Sequence, residues 1–350
     1  MVYRVVGLMS GTSMDGLDIG LCTFTEKAGY WSFVIDHGET RPFPPHLAEA
    51  LAKAHTLSAS ELVELSISLG AWCGETAKEV VGKHHFEPLL IASHGHTVFH
   101  QPEKSMTLQI GHGDVMAKAA GIPVVCDFRT ADVFLEGQGA PLVPIGDRML
   151  FREYDACLNL GGIANISYEQ CGRQLAFDIC PANMLLNLLA GRDSKAYDLD
   201  GGMAASGQLI SGLSDQLGKL PYYKKSPPKS LSREMVFAEW VPLLDDTLPL
   251  SDLLFTCCEH IAIQIAKVVR KNDLHSVLVT GGGAMNKHLV RTMQQHARDS
   301  FVLPALSTIH YKEALVFGFL GLLRWMRRPN VLSSVTGAMK DHCSGMVALP

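Results

Sequence analysis

The stretch "GLMSGTSMDGLDIG", residues 7–20, decides the fold because it joins two strand-like runs through a long polar turn. The apolar runs cover residues 2–9 and 17–24, and the turn between them takes seven residues, 10–16. A two-residue turn such as Asn-Gly is enough to reverse an antiparallel pair. The extra length therefore suggests that this turn also holds a ligand.

The composition of this turn indicates what the ligand is. Gly11 and Gly16 let the backbone approach a bound group closely, while Ser10, Thr12 and Ser13 add hydroxyl donors. Consecutive backbone N–H groups in such a loop can converge on an anion, which favours phosphate. Because serine and glycine are also ordinary turn residues, a solvated hairpin loop remains an equal alternative at this point.

Length and composition limit the class of protein. A chain of 350 residues exceeds what one core usually supports, so two domains are expected, and the apolar share of 47% is that of a globular enzyme. A formal net charge of −5 without a long basic run argues against nucleic acid or an anionic membrane as the main partner. The N-terminus lacks a cleavage-like signal, and no run reaches the ~18 apolar residues of a membrane helix, so we expect a cytoplasmic protein.

Cysteine and histidine do not indicate a metal site. The nine cysteines show no paired CxxC spacing, which favours reduced thiols in the core over a disulfide framework or a zinc site. The segment "SHGHTVFH" gathers His94, His96 and His100, and histidine is a common metal ligand. However, no acidic or thiol partner stands nearby and a glycine separates the first two, so metal ligation there is disfavoured.

Hydrophobic periodicity predicts an α/β protein in which strands alternate with helices. The predicted strands cover residues 2–9, 17–24, 30–36, 88–92, 123–127, 155–160, 163–168, 174–178 and 275–280. The predicted helices cover 45–55, 59–83, 112–120, 182–190, 203–217, 251–271, 285–297 and 312–327. We place the domain boundary within 139–155, giving a first domain of residues 1–145 plus 335–350 and a second of 146–334.

Two further glycine-rich turns lie in the second half. "ACLNLGGIANIS", residues 156–167, repeats the strand, polar turn and strand of the first hairpin, and "SVLVTGGGAMNKHLV", residues 276–290, runs from a strand through three glycines into a helix. Neither contains GxGxxG or GxxxxGK[ST], which argues against Rossmann and P-loop folds. The order of the three turns resembles the actin, hexokinase and hsp70 superfamily, a two-domain actin-like ATPase fold with an interdomain cleft.

The motifs resemble one family within that superfamily over almost the whole chain. "GLMSGTSMDGLD", "SHGHTVFHQP", "DFR", "EGQGAPLVP", "LNLGGIANIS", "FDICPANMLLN", "PPKSLSRE", "VTGGGAMN", "KEALVFG" and "SVTGA" follow the order of the anhydro-N-acetylmuramic acid kinases between residues 7 and 338. The resemblance implies ATP with Mg²⁺, the anhydro amino sugar as substrate, and a homodimer. It further implies that water opens the 1,6-anhydro bond while O6 receives the phosphoryl group.

The resemblance assigns the catalytic base to Asp178, in "FDICP". A carboxylate there would take a proton from the water that attacks the anomeric carbon. From sequence alone, the commoner role of an aspartate at this place is helix capping, with Pro181 as the first helical residue.

The sugar and phosphate ligands are likewise carried over from the resemblance. Glu313 is expected to bind the sugar, although a glutamate early in a helix also offsets the helix dipole. Arg129 is expected to clasp the lactyl carboxylate, with a surface ion pair as its alternative. His96, Thr97 and Gln138 complete the predicted sugar site, and Asp15 is assigned to the substrate face and to Mg²⁺ through water. The predicted phosphate and nucleotide ligands are Ser10, Gly11, Thr12, Ser13, Gly161, Gly162, Asn165, Gly281, Gly282 and Gly283.

Several positions depart from the commoner family pattern. His96 stands where glutamine is usual, Ile179 and Cys180 replace a Thr-Gly pair beside the proposed base, and Asn187 replaces an acid. These changes leave the choice of sugar open. A kinase of another sugar on the same fold and a non-catalytic nucleotide-dependent switch remain alternatives, whereas an acyl hydrolase is disfavoured because no G-x-S-x-G motif is present.

Overall fold

The computed structural model describes residues 1–11, 16–298 and 300–350. It divides the chain into two compact units, residues 1–150 with 311–350 and residues 151–310. The first boundary falls within the predicted range. The return to the first unit comes earlier than expected, because residues 311–334, predicted for the second domain, belong to the first unit.

Residues 1–150 begin the first unit. Their strands are β1 (Val2–Ser10), β2 (Leu17–Lys27), β3 (Tyr30–Arg41), β4 (Leu90–Ser93), β5 (His96–Gln101), β6 (Met106–Ile110) and β7 (Val124–Cys126). Their helices are α1 (Pro45–Ala52), α2 (Ala59–Lys83), α3 (Gly113–Ala120), α4 (Thr130–Phe134) and α5 (Pro144–Leu150). The predicted bounds of α2 are confirmed, since Ser58 and Glu61 form a reciprocal capping box at its start.

The remaining elements follow in chain order. The second unit contains β8 (Ala156–Leu160), β9 (Ile163–Gln170), β10 (Arg173–Pro181), α6 (Asn183–Gly191), α7 (Gly202–Ala205), α8 (Ser211–Gly218), α9 (Arg233–Glu239), α10 (Leu250–Lys271), β11 (Val277–Thr280), α11 (Lys287–His296) and β12 (Phe301–Val302). Helix α12 (Leu306–Trp325) has an irregular backbone at Tyr311 and continues into the first unit. The chain ends with α13 (Ser333–Thr336) and β13 (Met346–Ala348).

The main sheets of the two units repeat one strand order. The first sheet runs β13-β7-β4-β1-β2-β3, with β1, β2 and β3 antiparallel and β4 and β7 parallel to β1. The second runs β10-β9-β8-β11-β12, again with three antiparallel strands followed by two parallel ones. This repetition confirms the α/β class and the duplicated, actin-like fold.

Close packing of α12 on the first sheet explains the early return of the chain. A Cβ at Gly7 of β1 would lie 1.9 Å from the carbonyl oxygen of Ala314, and one at Gly321 would lie 2.4 Å from the Cβ of Ala92 in β4. Only glycine allows a helix and a sheet to approach this closely. Residues 311–325 therefore complete the core of the first unit, which the apolar pattern of one helix could not reveal.

The cysteines are mostly core residues, as predicted. Six of the nine are buried, and Cys257 and Cys258 of α10 lie in the apolar core of the second unit. Burial also raises the pKa of the Cys180 thiol well above its usual range, so this cysteine is a packing residue and not a nucleophile at neutral pH.

The predicted helix over 203–217 is wrong, because the chain divides there into α7 and α8. A Cβ at Gly207 would lie 2.1 Å from the carbonyl oxygen of Ser251. The backbone N–H groups of Gln208 and Ile210 donate to the side chains of Asp252 and Thr256 on α10. Contacts with a neighbouring helix thus replace the internal hydrogen bonds of a continuous one.

In the part of the chain that the structure describes, no helix combines the length and apolarity that crossing a membrane requires.

Candidate active site

The first hairpin is described only at its ends. β1 and β2 pair as far as Ser10 opposite Leu17, and the predicted ligands Thr12, Ser13 and Asp15 lie outside the described residues. The buried hydroxyl of Ser10 lies 2.9 Å from Nδ1 of His96, which is also buried. The structure thereby joins two predicted site residues that are far apart in the sequence.

Gly11 and Gly16 bound the undescribed part of this turn. Gly16 has a φ of +148°, and a Cβ there would lie 2.4 Å from the carbonyl oxygen of Arg41. The fold itself therefore requires glycine at position 16.

Arg129 is held from two sides, not exposed as a surface ion pair. Its Nε (3.0 Å) and Nη2 (2.8 Å) both donate to Nε2 of His94, and its Nη1 donates to the carbonyl of Gly139 at 2.7 Å. Of the five N–H groups of a guanidinium, these bonds use three. Among the described residues, one N–H on each terminal nitrogen has no partner, and guanidinium N–H groups commonly bind carboxylates.

His94 fixes Arg129 because it stays neutral. Burial, followed by the charge of Arg129, lowers the pKa of His94 to about 3. Its Nδ1 lies 2.9 Å from the carbonyl oxygen of Gly95, so Nδ1 carries the proton and Nε2 remains an acceptor for Arg129. Burial also lowers the pKa of Arg129, to about 10, which leaves its guanidinium charged at neutral pH.

The loop that carries Gln138 is anchored by a fully buried carboxylate. Asp132 accepts from the backbone N–H of Gly139 and from the hydroxyl of Thr336, both at 2.7 Å. The carbonyl of Thr336 in turn accepts from the backbone N–H of Gln138 at 2.8 Å. These bonds join the "EGQGAPLVP" and "SVTGA" motifs and leave the Gln138 side chain exposed.

Glu313 lies near the start of the straight part of α12, two residues after the irregular Tyr311. The residue keeps a solvent-exposed face, yet burial of its carboxyl raises its pKa, and the Asp18 carboxylate adds to this effect. The positive charges of Lys312 and Arg129 oppose the shift. The electrostatic coupling between Glu313 and Arg129 brings these two predicted sugar ligands into one neighbourhood of the first unit.

Thr97 lies at the start of β5, next to His96, and its hydroxyl is 3.4 Å from Nε2 of Gln109 on β6. The disfavoured metal site at the three histidines of "SHGHTVFH" gains no support from these contacts. His94 pairs with Arg129, His96 with Ser10, and Nδ1 of His100 lies 3.1 Å from the hydroxyl of Thr107.

In the second unit, Asp178 lies on β10, the edge strand of the sheet, and a distant segment fixes it there. Its backbone N–H donates to the carbonyl of Lys229 (3.0 Å), and its own carbonyl accepts from the hydroxyl of Tyr222 (2.6 Å). The backbone N–H of Leu231 donates to Oδ2 of the carboxylate at 2.8 Å. The "PPKSLSRE" motif therefore orients both the backbone and the side chain of Asp178.

These contacts rule out helix capping by Asp178. Pro181 ends β10 and does not begin a helix, and α6 starts at Asn183 without a side-chain cap. The backbone N–H groups of Asn183 and Met184, at the start of α6, donate instead to the carbonyls of Gly161 and Gly162.

The carboxyl group of Asp178 has an altered proton affinity. Burial raises its pKa, and the hydrogen bond from Leu231 opposes the shift. No hydrogen-bond partner of Oδ1 occurs among residues 1–11, 16–298 and 300–350. One oxygen is therefore fixed, and the other can accept a proton.

The predicted nucleotide residues gather at one end of the second sheet. Gly161 and Gly162 connect β8 to β9, Asn165 pairs with Asn159 across that hairpin, and the glycine turn begins where β11 ends, beside β8. Because β8 and β11 are parallel, both glycine turns lie at their carboxyl ends, the usual place for ligands in α/β sheets.

The fold requires some glycines of these two turns and not others. A Cβ at Gly281 or Gly283 would lie less than 3 Å from residues of β8, and Gly281 has a φ of +82°. In contrast, Cβ atoms at Gly161, Gly162 and Gly282 would meet only ordinary contacts, at 3.4 Å or more, and none of the three has a positive φ. Neither the backbone nor packing among the described residues requires glycine there, so the backbone at these three positions is open to the approach of a ligand.

The helix that follows the third turn has a capped N-terminus. The side chain of Asn286 accepts from the backbone N–H of Leu289 and so caps α11. One short turn of 3₁₀ helix, Gly282–Met285, separates this cap from the strand. A ligand at this turn would therefore contact the glycine backbone and not the N-terminus of α11.

Five residues that hold the predicted ligands in place were missed from the sequence. They are His94, Asp132, Tyr222, Leu231 and Thr336. Three of these are in motifs that were recognised without assigning them a role, "SHGHT", "PPKSLSRE" and "SVTGA". The motifs therefore contained these three residues, but the hydrogen-bond partner of each of the three lies 35 to 204 positions away in the sequence.

Comparison with known proteins identifies the family of this chain. The family model described as anhydro-N-acetylmuramic acid kinase matches residues 3–349. Relatives called anhydro-N-acetylmuramic acid kinase include one from Crocosphaera subtropica (32% identical, covering 99% of this chain and 98% of the relative) and one from Vibrio vulnificus (35%, 98% and 97%).

Among solved structures, the activator of the 2-hydroxyisocaproyl-CoA dehydratase from Clostridium difficile matches 91% of this chain and 94% of that chain. Its identity is 13% and its TM-score 0.46, so the fold assignment rests on the repeated strand order and not on this likeness. The match to the family model over almost the whole length is decisive: this chain belongs to the anhydro-N-acetylmuramic acid kinase family.

Proposed function

We propose that this protein is a kinase of cell-wall recycling that uses ATP to phosphorylate O6 of 1,6-anhydro-N-acetylmuramic acid. Water opens the 1,6-anhydro ring in the same reaction, so the product is N-acetylmuramic acid 6-phosphate. The water oxygen bonds to C1, the bond between C1 and O6 breaks, and O6 bonds to the γ-phosphorus as ADP leaves. Family membership over residues 3–349 supports this activity.

The observation that carries the mechanism is the fixed carboxylate of Asp178. Leu231 holds one oxygen, and burial raises the pKa of the group, which strengthens it as a proton acceptor. We assign Asp178 as the general base that takes a proton from the attacking water. Because two backbone hydrogen bonds fix the same residue, the carboxylate is positioned before substrate binds.

Sugar binding is assigned to the first unit. The N–H groups of Arg129 that have no partner among the described residues would clasp the lactyl carboxylate, while neutral His94 fixes the guanidinium. Glu313 would accept hydrogen bonds from the sugar, with Thr97 and Gln138 beside it. His96 would contact the sugar as well, from a position fixed by its hydrogen bond with Ser10.

Nucleotide binding is assigned to the second unit, at its two glycine turns. Gly161, Gly162 and Gly282 leave room where a side chain would otherwise stand, so backbone N–H groups there can approach phosphate or the adenosine ring. We assign Asn165 to the same ligand, and Gly281 and Gly283 to shaping the turn around it.

The proposal includes three further features. ATP is expected to bind with Mg²⁺, and the carboxylate chemistry of Asp15 suits a hydrated Mg²⁺ ion, whose charge would offset that of the phosphates. We also propose that the protein is cytoplasmic and that it forms a homodimer. Light scattering of the purified protein would test the homodimer.

Isotope labelling tests the reaction directly. In ¹⁸O-water, turnover should place one label on the anomeric hydroxyl of the product and none on its phosphate group. The product must be trapped early by reduction, because the anomeric hydroxyl exchanges with water. Label in released inorganic phosphate, without phosphorylated sugar, would indicate simple ATP hydrolysis and refute the proposal.

A further inference from the structure

A group of side chains that are not among the predicted ligands has the composition of a metal site. His37 and Glu39 lie two residues apart on one face of β3, the edge strand of the first sheet, and His84 directly follows α2. The ligand atoms of these three residues all lie within 4.8 Å of one another. Two imidazoles and one carboxylate are a common ligand set for Zn²⁺, with water as the fourth ligand.

The existing contacts resemble a metal site in which a proton takes the place of the metal. Nε2 of His37 lies 2.8 Å from Oε2 of Glu39, and the rings of His37 and His84 stack with their centroids 3.8 Å apart. Tetrahedral Zn²⁺ with bonds of about 2.0–2.1 Å requires ligand atoms roughly 3.3 Å apart. The ligand atoms are close to this spacing, but the stacked rings do not direct their nitrogens at one point, so metal binding requires the exposed His84 ring to turn.

Neighbouring charges orient the carboxylate and leave one of its oxygens for a metal. Arg41 binds Oε1 of Glu39 and, through its terminal nitrogen, Oε1 of Glu79 at 2.9 Å. Oε2 of Glu39 thus faces His37, while Oε1 is held from behind, as outer partners commonly hold metal ligands.

The end of α2 adds a further attraction for a cation. His84 is the C-cap of this 25-residue helix, where the helix dipole places partial negative charge. His84 is exposed, so an ion in solution can reach its imidazole. Lys83 and Arg41 oppose a cation, while Glu39 and Glu79 favour it.

We propose that His37, Glu39 and His84 form a binding site for a divalent transition metal of the Zn²⁺ class. A metal there would link the edge strand β3 to the end of α2 and so stabilise the first unit. None of the three residues is among the predicted sugar or nucleotide ligands, so the inference does not depend on the proposed function.

The test uses the full chain without an affinity tag, titrated with ZnCl₂ by calorimetry and with CoCl₂ by absorption spectroscopy. We expect one ion per chain, a rise of a few degrees in the melting temperature, and visible cobalt d–d bands without thiolate charge transfer. His84→Gln should weaken binding at least about tenfold, because it removes one of three ligands from an exposed helix end. Glu39→Gln should weaken binding as well.

His85→Gln is the matched control, since His85 is the neighbouring exposed histidine and is not in the group. It should bind zinc as the wild type does, and circular dichroism should report the same folded state for all variants. The inference is overturned if the wild type binds no zinc, if His84→Gln binds as tightly as His85→Gln, or if cobalt shows thiolate ligation.

Discussion

The sharpest test of the proposed mechanism is the substitution Asp178→Asn, because the structure separates the position of this residue from its chemistry. Three hydrogen bonds fix Asp178, and two of them are made by its own backbone N–H and carbonyl, with Lys229 and Tyr222, so they do not depend on its side chain. The third, the N–H of Leu231, can donate to an asparagine oxygen as well as to a carboxylate oxygen. The variant should therefore keep its geometry and lose only the ability to accept a proton.

The expected loss of activity follows from this separation. A positioned general base contributes roughly 10²- to 10⁴-fold to the rate, or about 2.7–5.5 kcal/mol of transition-state stabilisation. Ring opening and phosphorylation should fall together by this factor, because both wait for the same attack by water. The KM for ATP should change little, since the nucleotide residues are untouched.

Stability should move in the other direction. The folded-state pKa of Asp178 is raised, so its ionised form is less favourable in the folded protein than in the unfolded chain, and this costs stability above the unfolded pKa. Asparagine carries no charge and removes that cost. The melting temperature of Asp178→Asn at pH 7 should therefore equal or exceed that of the wild type.

The assay couples ADP release to mass spectrometry of the sugar product, with Asp155→Asn as the control. Asp155 also accepts backbone hydrogen bonds, from His275 and Ser276, but it lies at the opposite end of β8 from the glycine turn. This control should keep wild-type turnover. If Asp178→Asn phosphorylates the sugar within a few-fold of the wild-type rate, Asp178 is not the base.

Three further predictions follow from the same contacts. Arg129→Ala should weaken binding of the anhydro sugar by about 1.5–3 kcal/mol and leave ATP affinity unchanged in calorimetry, and equal losses for both ligands would contradict its assignment to the carboxylate. Gly162→Ala should fold with an unchanged melting temperature but raise the KM for ATP, and an unchanged KM would remove Gly162 from the nucleotide site. Gly281→Ala should instead lower the melting temperature, because the positive φ and the close neighbours of Gly281 exclude a Cβ. The kcat/KM should fall at low pH as Asp178 becomes protonated. Leu231→Pro, which lacks the N–H donor to Asp178, should move this fall to higher pH, while Leu231→Ala should not. Identical pH profiles for the two variants would show that this hydrogen bond does not set the pKa of Asp178.

The sequence was sufficient for the elements whose signals are local. All nine predicted strands occur, and α2 has the predicted bounds because both its cap and its apolar face are encoded within its own residues. The sequence was insufficient where partners are distant. The division of the predicted helix over 203–217 depends on α10, and the return of the chain to the first unit depends on contacts of Ala314 with Gly7.

The same distinction applies to the candidate site. Motifs assigned chemistry to particular residues, such as Arg129 and Asp178, because a resemblance carries residue types over directly. Their supports could not be derived in this way, since His94 acts through its tautomer and Leu231 through its backbone N–H, which any residue except proline provides. A sequence pattern names a ligand more readily than it names what fixes that ligand.

The residues beside the base that depart from the family pattern can now be interpreted physically. The register of β10 against β9 shifts between Asp178 and Cys180, so Ile179 is an extra residue in a bulge, a feature that redirects neighbouring side chains. Ile179 and Cys180 are both almost fully buried in the core of the second unit, whereas Asp178 is only partly buried. Their substitution for smaller residues therefore changes packing behind the base and not the groups that meet water. We accordingly expect the double variant Ile179→Thr/Cys180→Gly to lose stability, because it empties a packed core, while its kcat stays within a few-fold of the wild type. A large loss of kcat at unchanged stability would instead make these two residues part of the mechanism.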